Sequence, residues 1–123
     1  YSGAYNPLYV VRNQDLTEYK ADRMPIGYHM NNEKQFTMQK IEFQDNDSIY
    51  MFSDGYADQF GGEEGKKFKY TKLKSTLISI QSEKMQNQHQ IINETIQKWM
   101  DFKDEDNNLF PQVDDILMMG IRL

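Results

Sequence analysis

The sequence predicts an α+β fold built on a mainly antiparallel sheet. Three observations carry that expectation. Short β-prone apolar runs stand in the first half, at Leu8–Val11 and Ile49–Phe52. Two stretches with helical apolar spacing follow, around Tyr70–Ile80 and Met85–Met100. A last apolar run, Ile116–Ile121, closes the order as strands, helices, strand. Segregated elements of this kind indicate α+β rather than alternating βαβ units.

In chain order, Gly3 and Pro7 punctuate a turn before the strand Leu8-Tyr9-Val10-Val11. Asn13-Gln14-Asp15 is turn material, and Leu16–Ala21 reads as the returning strand of a hairpin. Met24-Pro25-Ile26-Gly27 breaks the pattern as an extended loop. Phe36–Phe43 is strand-like, with an alternation that slips at Lys40 and suggests a bulge. Asp45-Asn46-Asp47-Ser48 is a polar turn ahead of Ile49–Phe52, a compact apolar run bounded by turn residues on both sides. Residues 53–67, with Gly55, Gly61, Gly62 and Gly65, read as loop. Tyr70, Leu73, Leu77 and Ile80 then form one helical stripe. Ile92, Ile96 and Trp99 form a second, where Glu94 and Lys98 make an i,i+4 pair. Asp101–Gln112 is acidic and irregular, and Val113–Leu123 is expected to be a strand.

Composition excludes several classes. Without cysteine there is no disulfide framework and no thiolate metal site, and a reducing, cytoplasmic setting is the expectation. The longest apolar run falls far short of the ~20 residues of a membrane span. A net charge of −5 argues against sequence-independent nucleic-acid binding. Tyr1 rather than Met opens the chain, and Tyr1-Ser2-Gly3-Ala4 is no signal peptide, so the sequence reads as cut from something longer.

Two places carry candidate chemistry. Asp54, in Ser53-Asp54-Gly55, directly follows the strand Ile49–Phe52. A carboxylate at a rigid strand end suits a hard cation, with Gly55 allowing a sharp turn beside it. A turn aspartate bonded to its own loop is the other reading. Asp114-Asp115 stands directly before Ile116-Leu117-Met118-Met119. Adjacent carboxylates at the start of a buried strand need a compensating positive charge, unless they lie on a solvated edge. Alternation along a strand points one of the pair, not both, at a shared site. Together, two acidic strand ends in one small sheet make an oxygen-only ligand set, which suits Mg²⁺ or Mn²⁺ rather than zinc.

Other features are weaker. His29 and His89 lack metal-ligand spacing. Asp104-Glu105-Asp106-Asn107-Asn108 imitates the start of a calcium loop, but Leu109 occupies the glycine position and Pro111 falls inside. Gly65-Lys66-Lys67-Phe68-Lys69, with Lys72 and Lys74, is a basic patch that suits an acidic or phosphorylated partner or forms a solvated face.

Four blocks in order resemble the C-terminal part of bacterial PP2C-superfamily serine/threonine phosphatases of the SpoIIE/RsbU-like branch. They are Ser2–Leu8, Lys20–Gly27, Tyr50–Gln59, and Val113–Ile116 running on to Arg122. The resemblance spans nearly all of residues 1–123. It implies an antiparallel β-sandwich flanked by helices, present here as an incomplete C-terminal portion. It implies a pair of Mn²⁺ or Mg²⁺ ions between the sheets, and hydrolysis of phosphoserine or phosphothreonine by a metal-activated water. Asp54 and Asp114 match family metal ligands, Asp115 matches less closely, and Gly55 matches the turn residue; no catalytic residue is expected beyond the ligands. The implied partners are a phosphorylated protein, such as an anti-sigma-factor antagonist, and an upstream sensor domain that leaves room for a membrane anchor. Nucleic acid is not expected.

Two departures stand out. The family's terminal block usually carries threonine where this chain has Leu117. The family's remaining ligands lie in an upstream Asp-x-x-Gly-His-Gly type block that is not in this sequence. Weak metal binding, little activity from this piece alone, and homo-oligomerisation through exposed sheet edges and faces are therefore the expectations. The alternative readings are a non-catalytic PP2C-like signalling or interaction module and a generic α+β binding domain.

Overall fold

In a computed structural model, which describes residues 1–27 and 34–123, the first two apolar runs become neighbouring strands. Strands β1 (Leu8–Arg12) and β2 (Asp15–Tyr19) form a hairpin closed by the pair Arg12↔Asp15. The two turn residues, Asn13 and Gln14, have φ of +49° and +64°. Positive φ at both central positions matches the right-handed twist of the flanking strands, which is why such tight hairpins favour it. Strand β3 (Ser48–Phe52) lies against β1, and β6 (Met118–Arg122) lies against β3. All three pairings are antiparallel, in the order β2-β1-β3-β6.

Alternation along the strands separates two faces. Tyr9 and Val11 of β1, with Tyr50 and Phe52 of β3, face helices α2 (Tyr70–Ser79) and α3 (Met85–Met100). Leu73, Leu77 and Ile96 of those helices, with Ile80 just past α2, complete this core. Aromatic edges lock it: the Tyr9 and Phe52 ring centres are 4.7 Å apart, and Phe68 meets Tyr56 and Trp99 edge-on at 5.1 and 5.4 Å. Tyr50 donates a 2.6 Å hydrogen bond to Oε1 of buried Gln88, docking β3 on α3. Arg122 donates to the carbonyls of Gln81 and Glu83, between the helices, and to Ser48 Oγ.

The other face carries a smaller cluster, Leu8, Val10 and Ile49, partly covered by Tyr1, Tyr19 and Ile41. The rest of that face is open: Met51, Met119 and Ile121 are 40–51% exposed.

Several expectations are corrected. Phe36–Phe43 forms no ladder, so the bulge at Lys40 has no strand to sit in. Its backbone bonds go elsewhere, to Tyr1 through Gln39 N at 2.8 Å and to the Asp22 carboxylate through Thr37 N at 2.7 Å. The last strand begins at Met118 rather than Val113, and the second ends at Tyr19 rather than Ala21. The stretch 53–67 is more than loop. It holds a one-turn helix α1 (Gly55–Asp58) and the short hairpin of β4 (Phe60–Gly61) and β5 (Lys66–Lys67). The fold class itself stands: among the described residues a four-stranded antiparallel sheet carries helices on one face, beside the short β4–β5 pair, as an incomplete portion of the expected architecture would.

Candidate metal centre

The central strand β3 delivers Asp54 two residues beyond Phe52, at the N-terminus of α1. Its main-chain carbonyl accepts the Asp58 amide at 3.0 Å. Its side chain makes no capping hydrogen bond and is exposed. The neighbouring strand β6 is preceded by Asp114 and Asp115, also exposed.

Ser53 stitches the two segments together. Its amide donates to the Leu117 carbonyl at 3.0 Å. Its hydroxyl donates to the Asp115 carbonyl at 2.7 Å and accepts the Leu117 amide at 2.9 Å. Gly55 permits the approach: a Cβ there would lie 2.5 Å from the Asp115 carbonyl oxygen and 3.3 Å from that of Asp114. Gly55 was expected as a turn residue. It is instead the first residue of α1, without a left-handed φ, and closeness rather than turning is what it provides. Asp54 and the Asp114-Asp115 pair are thus brought to one end of the sheet through backbone and hydroxyl contacts.

Two further residues belong to this surround and were not singled out in the sequence. Asp58 stands one turn along α1 and pairs with Lys67 at 3.2 Å. Tyr70 opens α2, and burial, then the negative charge of Asp54, Asp58 and Glu18, pushes its phenol above the ordinary tyrosine value. A negative field that resists a phenolate is one that favours a cation. Helical position, i to i+4 from Asp54, was the available signal for Asp58.

The donors are hard carboxylate oxygens, so in kind they fit Mg²⁺ or Mn²⁺. In number they fall short: among the described residues no three His, Cys, Asp or Glu side chains gather closely enough to hold a metal ion. The remaining candidates lie elsewhere. His89 is exposed on α3, and His29 lies outside the described residues. Asp104 serves its own loop, with Oδ1 accepting the amides of Asp106 and Asn108 at 3.0 and 2.8 Å. Asp47, read as part of a polar turn, is fully buried and forms a two-pronged pair with Arg12, at 2.8 Å from Nε and 2.6 Å from Nη2. Among the described residues no helix is long and apolar enough to cross a membrane.

The family model for stage II sporulation protein E (SpoIIE) matches residues 1–123. A solved structure, the SiaA-PP2C domain of Pseudomonas aeruginosa, is similar with a TM-score of 0.82 at 23% identity. That likeness shows the fold, over 98% of this chain and 44% of the other. The chain therefore spans less than half of that structure's length. No curated protein matches.

Proposed function

The chain belongs to the SpoIIE family of PP2C-like phosphatase domains, and we propose that it supplies part of the metal site of a serine/threonine protein phosphatase. The observation that carries the reading is the joining at Ser53 of Asp54, just past β3, and the Asp114-Asp115 segment that leads into β6, with Gly55 free of a side chain against Asp115. Asp54 and Asp114 would hold the cation, with Asp115 beside them. A divalent ion there supplies Lewis-acid polarisation of phosphoryl oxygens and activates water. The chain's own part is positional. Strand β3 fixes Asp54, Ser53 fixes the height of the Asp114-Asp115 segment, and Tyr70 stays protonated beside the acids. The substrate class is a phosphorylated protein, with an anti-sigma-factor antagonist as the family resemblance suggests. An upstream sensor domain and a cytoplasmic setting complete the proposal; the absence of cysteine supports the latter.

The test is hydrolysis of a phosphoserine protein by the natural full-length protein with Mn²⁺. Asp54→Asn and Asp114→Asn should each lower kcat/KM by about 100-fold or more, equivalent to about 2.7 kcal/mol of transition-state stabilisation. Activity that survives both substitutions overturns the reading. A second reading, a non-catalytic interaction module, draws on the absence of a gathered acidic group among the described residues. An inert full-length protein that still binds its partner would favour it.

A further inference from the structure

We propose that the groove between the β4–β5 hairpin and α3 docks an acidic segment of a protein partner. The groove has a volume of about 620 Å³ and is lined by Lys66, Lys67, Lys69, Lys72 and Lys98 against two carboxylates, Glu63 and Glu64, over an aromatic wall that includes Trp99. The basic run seen in the sequence contributes all of these except Lys98. Lys74 departs from the run: it turns to the sheet, pairing with Glu18 at 2.6 Å. Lys98 from α3 stands in the groove beside the others.

Three of the five lysines hold surface carboxylates: Lys66 with Glu64 at 2.5 Å, Lys67 with Asp58 at 3.2 Å, and Lys98 with Glu94 at 3.7 Å. Exposed pairs of this kind contribute little to stability, so a partner's carboxylates can replace them at little loss. Lys69 and Lys72 have no carboxylate within ion-pair distance among the described residues. Lys72 is held instead by aromatic faces, its Nζ 3.8 Å from the Trp99 ring centre and 5.3 Å from that of Phe68. A cation over an indole is attracted to the ring yet keeps its outer hydrogens for an anion.

The wall behind it is rigid. The Trp99 indole N–H donates to the Gln59 carbonyl at 3.2 Å, and the Trp99 carbonyl accepts the Gly62 amide at 2.8 Å. Any Cβ at Gly61 or Gly62 would overlap Trp99, so the hairpin sits directly on it. Lys69 adds an independent sign. It holds φ +73° and ψ 148°, a conformation that non-glycine residues rarely adopt. Local strain kept by the surrounding structure is typical of ligand-contacting positions. A chain of net charge −5 thus presents a groove in which five lysines outnumber the two lining glutamates, against an aromatic wall. That chemistry matches a run of Asp and Glu side chains, drawn in by a salt-sensitive field. The groove also adjoins the candidate metal centre, because Lys67 pairs with Asp58, one turn of α1 from Asp54.

The test reads binding alone, so its failure is distinct from failure of the phosphatase reading. The chain is titrated with a short poly-glutamate peptide while the emission of Trp99, the sole tryptophan, is followed. The expected result is a saturable change that high salt abolishes. Lys69→Gln and Lys72→Gln should each weaken the affinity by at least about fivefold, whereas Lys20→Gln, a distant charge control, should leave it unchanged. Circular dichroism confirms that the variants stay folded. Unmoved Trp99 emission overturns the proposal. So does equal binding of a poly-glutamine peptide, an equal loss from Lys20→Gln, or displacement of the peptide by inorganic phosphate at equal concentration, which would mark a simple anion site.

Discussion

The Ser53 hydroxyl and the Asp115 carbonyl are joined by a 2.7 Å hydrogen bond across 62 residues of chain. The same oxygen accepts the Leu117 amide, so one side chain sets the spacing between the two acidic segments. Ser53→Ala removes both bonds and leaves an amide without its acceptor. The expected loss of stability is about 1–2 kcal/mol, read from the urea midpoint. Mn²⁺ affinity, measured by calorimetry on the full-length protein, should fall with it.

Gly55→Ala places a methyl 2.5 Å from the Asp115 carbonyl oxygen, an atom of the backbone that cannot swing aside. The segments must separate, at about 1–3 kcal/mol. Ala has higher helix propensity than Gly by about 1 kcal/mol, so propensity alone predicts the opposite sign. A thermal shift downwards would show that close approach outweighs propensity at this position.

Asp47 is buried against Arg12, and the hydrogen-bonded guanidinium holds its carboxyl below the ordinary aspartate value. A folded value depressed in this way means that the unfolded chain binds the proton more readily. The pair's contribution is therefore complete above the ordinary aspartate range and is lost as pH falls through the depressed folded value. Arg12→Gln leaves the carboxylate with the Gln44 amide alone and should lower stability at neutral pH. Urea unfolding of both proteins as the pH is lowered should show the gap between them shrinking in acid.

Lys69→Gly should stabilise the fold. A left-handed lysine costs roughly 1–2 kcal/mol, and the extra freedom of unfolded glycine returns about 0.5–1 kcal/mol of that. The net gain is under about 1.5 kcal/mol, visible as a rise of a few degrees in Tm. The same variant should bind poly-glutamate more weakly, separating stability from binding at one position.

The open sheet face should drive association. Met51, Met119 and Ile121 leave a contiguous apolar surface beside Phe43 and Leu8. Light scattering of the 123-residue chain at high concentration is expected to show a dimer or larger species. Ile121→Lys should shift it towards monomer. A clean monomer for the unaltered chain would remove the idea.

The sheet was legible where pattern and turn chemistry agreed. Leu8–Val11 and Ile49–Phe52 are β-prone runs between turns, and both became central strands. Both helical stripes held because their spacing matched a core-facing stripe. Phe36–Phe43 failed because its backbone bonds tie it to Tyr1 and Asp22 without a ladder, which β-propensity cannot foresee. Asp47 was unreadable as a core residue because its partner, Arg12, lies 35 residues away. The acidic strand ends were visible in the sequence. Their stitching through Ser53 was not, since its hydroxyl and amide bond to backbone groups more than 60 residues away in the chain.

The separation that the Ser53–Asp115 bond spans also sets an order of events. All three helices lie between its ends, so the acidic segments cannot meet until α2 and α3 have been synthesised. Closing so long a loop carries an entropic penalty that local hairpins avoid, and contacts of this range slow folding. The β1–β2 hairpin can form as it leaves the ribosome, whereas the acidic end of the sheet is completed last. A nascent chain halted before β6 would carry a hydrophobic, unpaired edge on β3, which makes this junction the stage most exposed to misassembly.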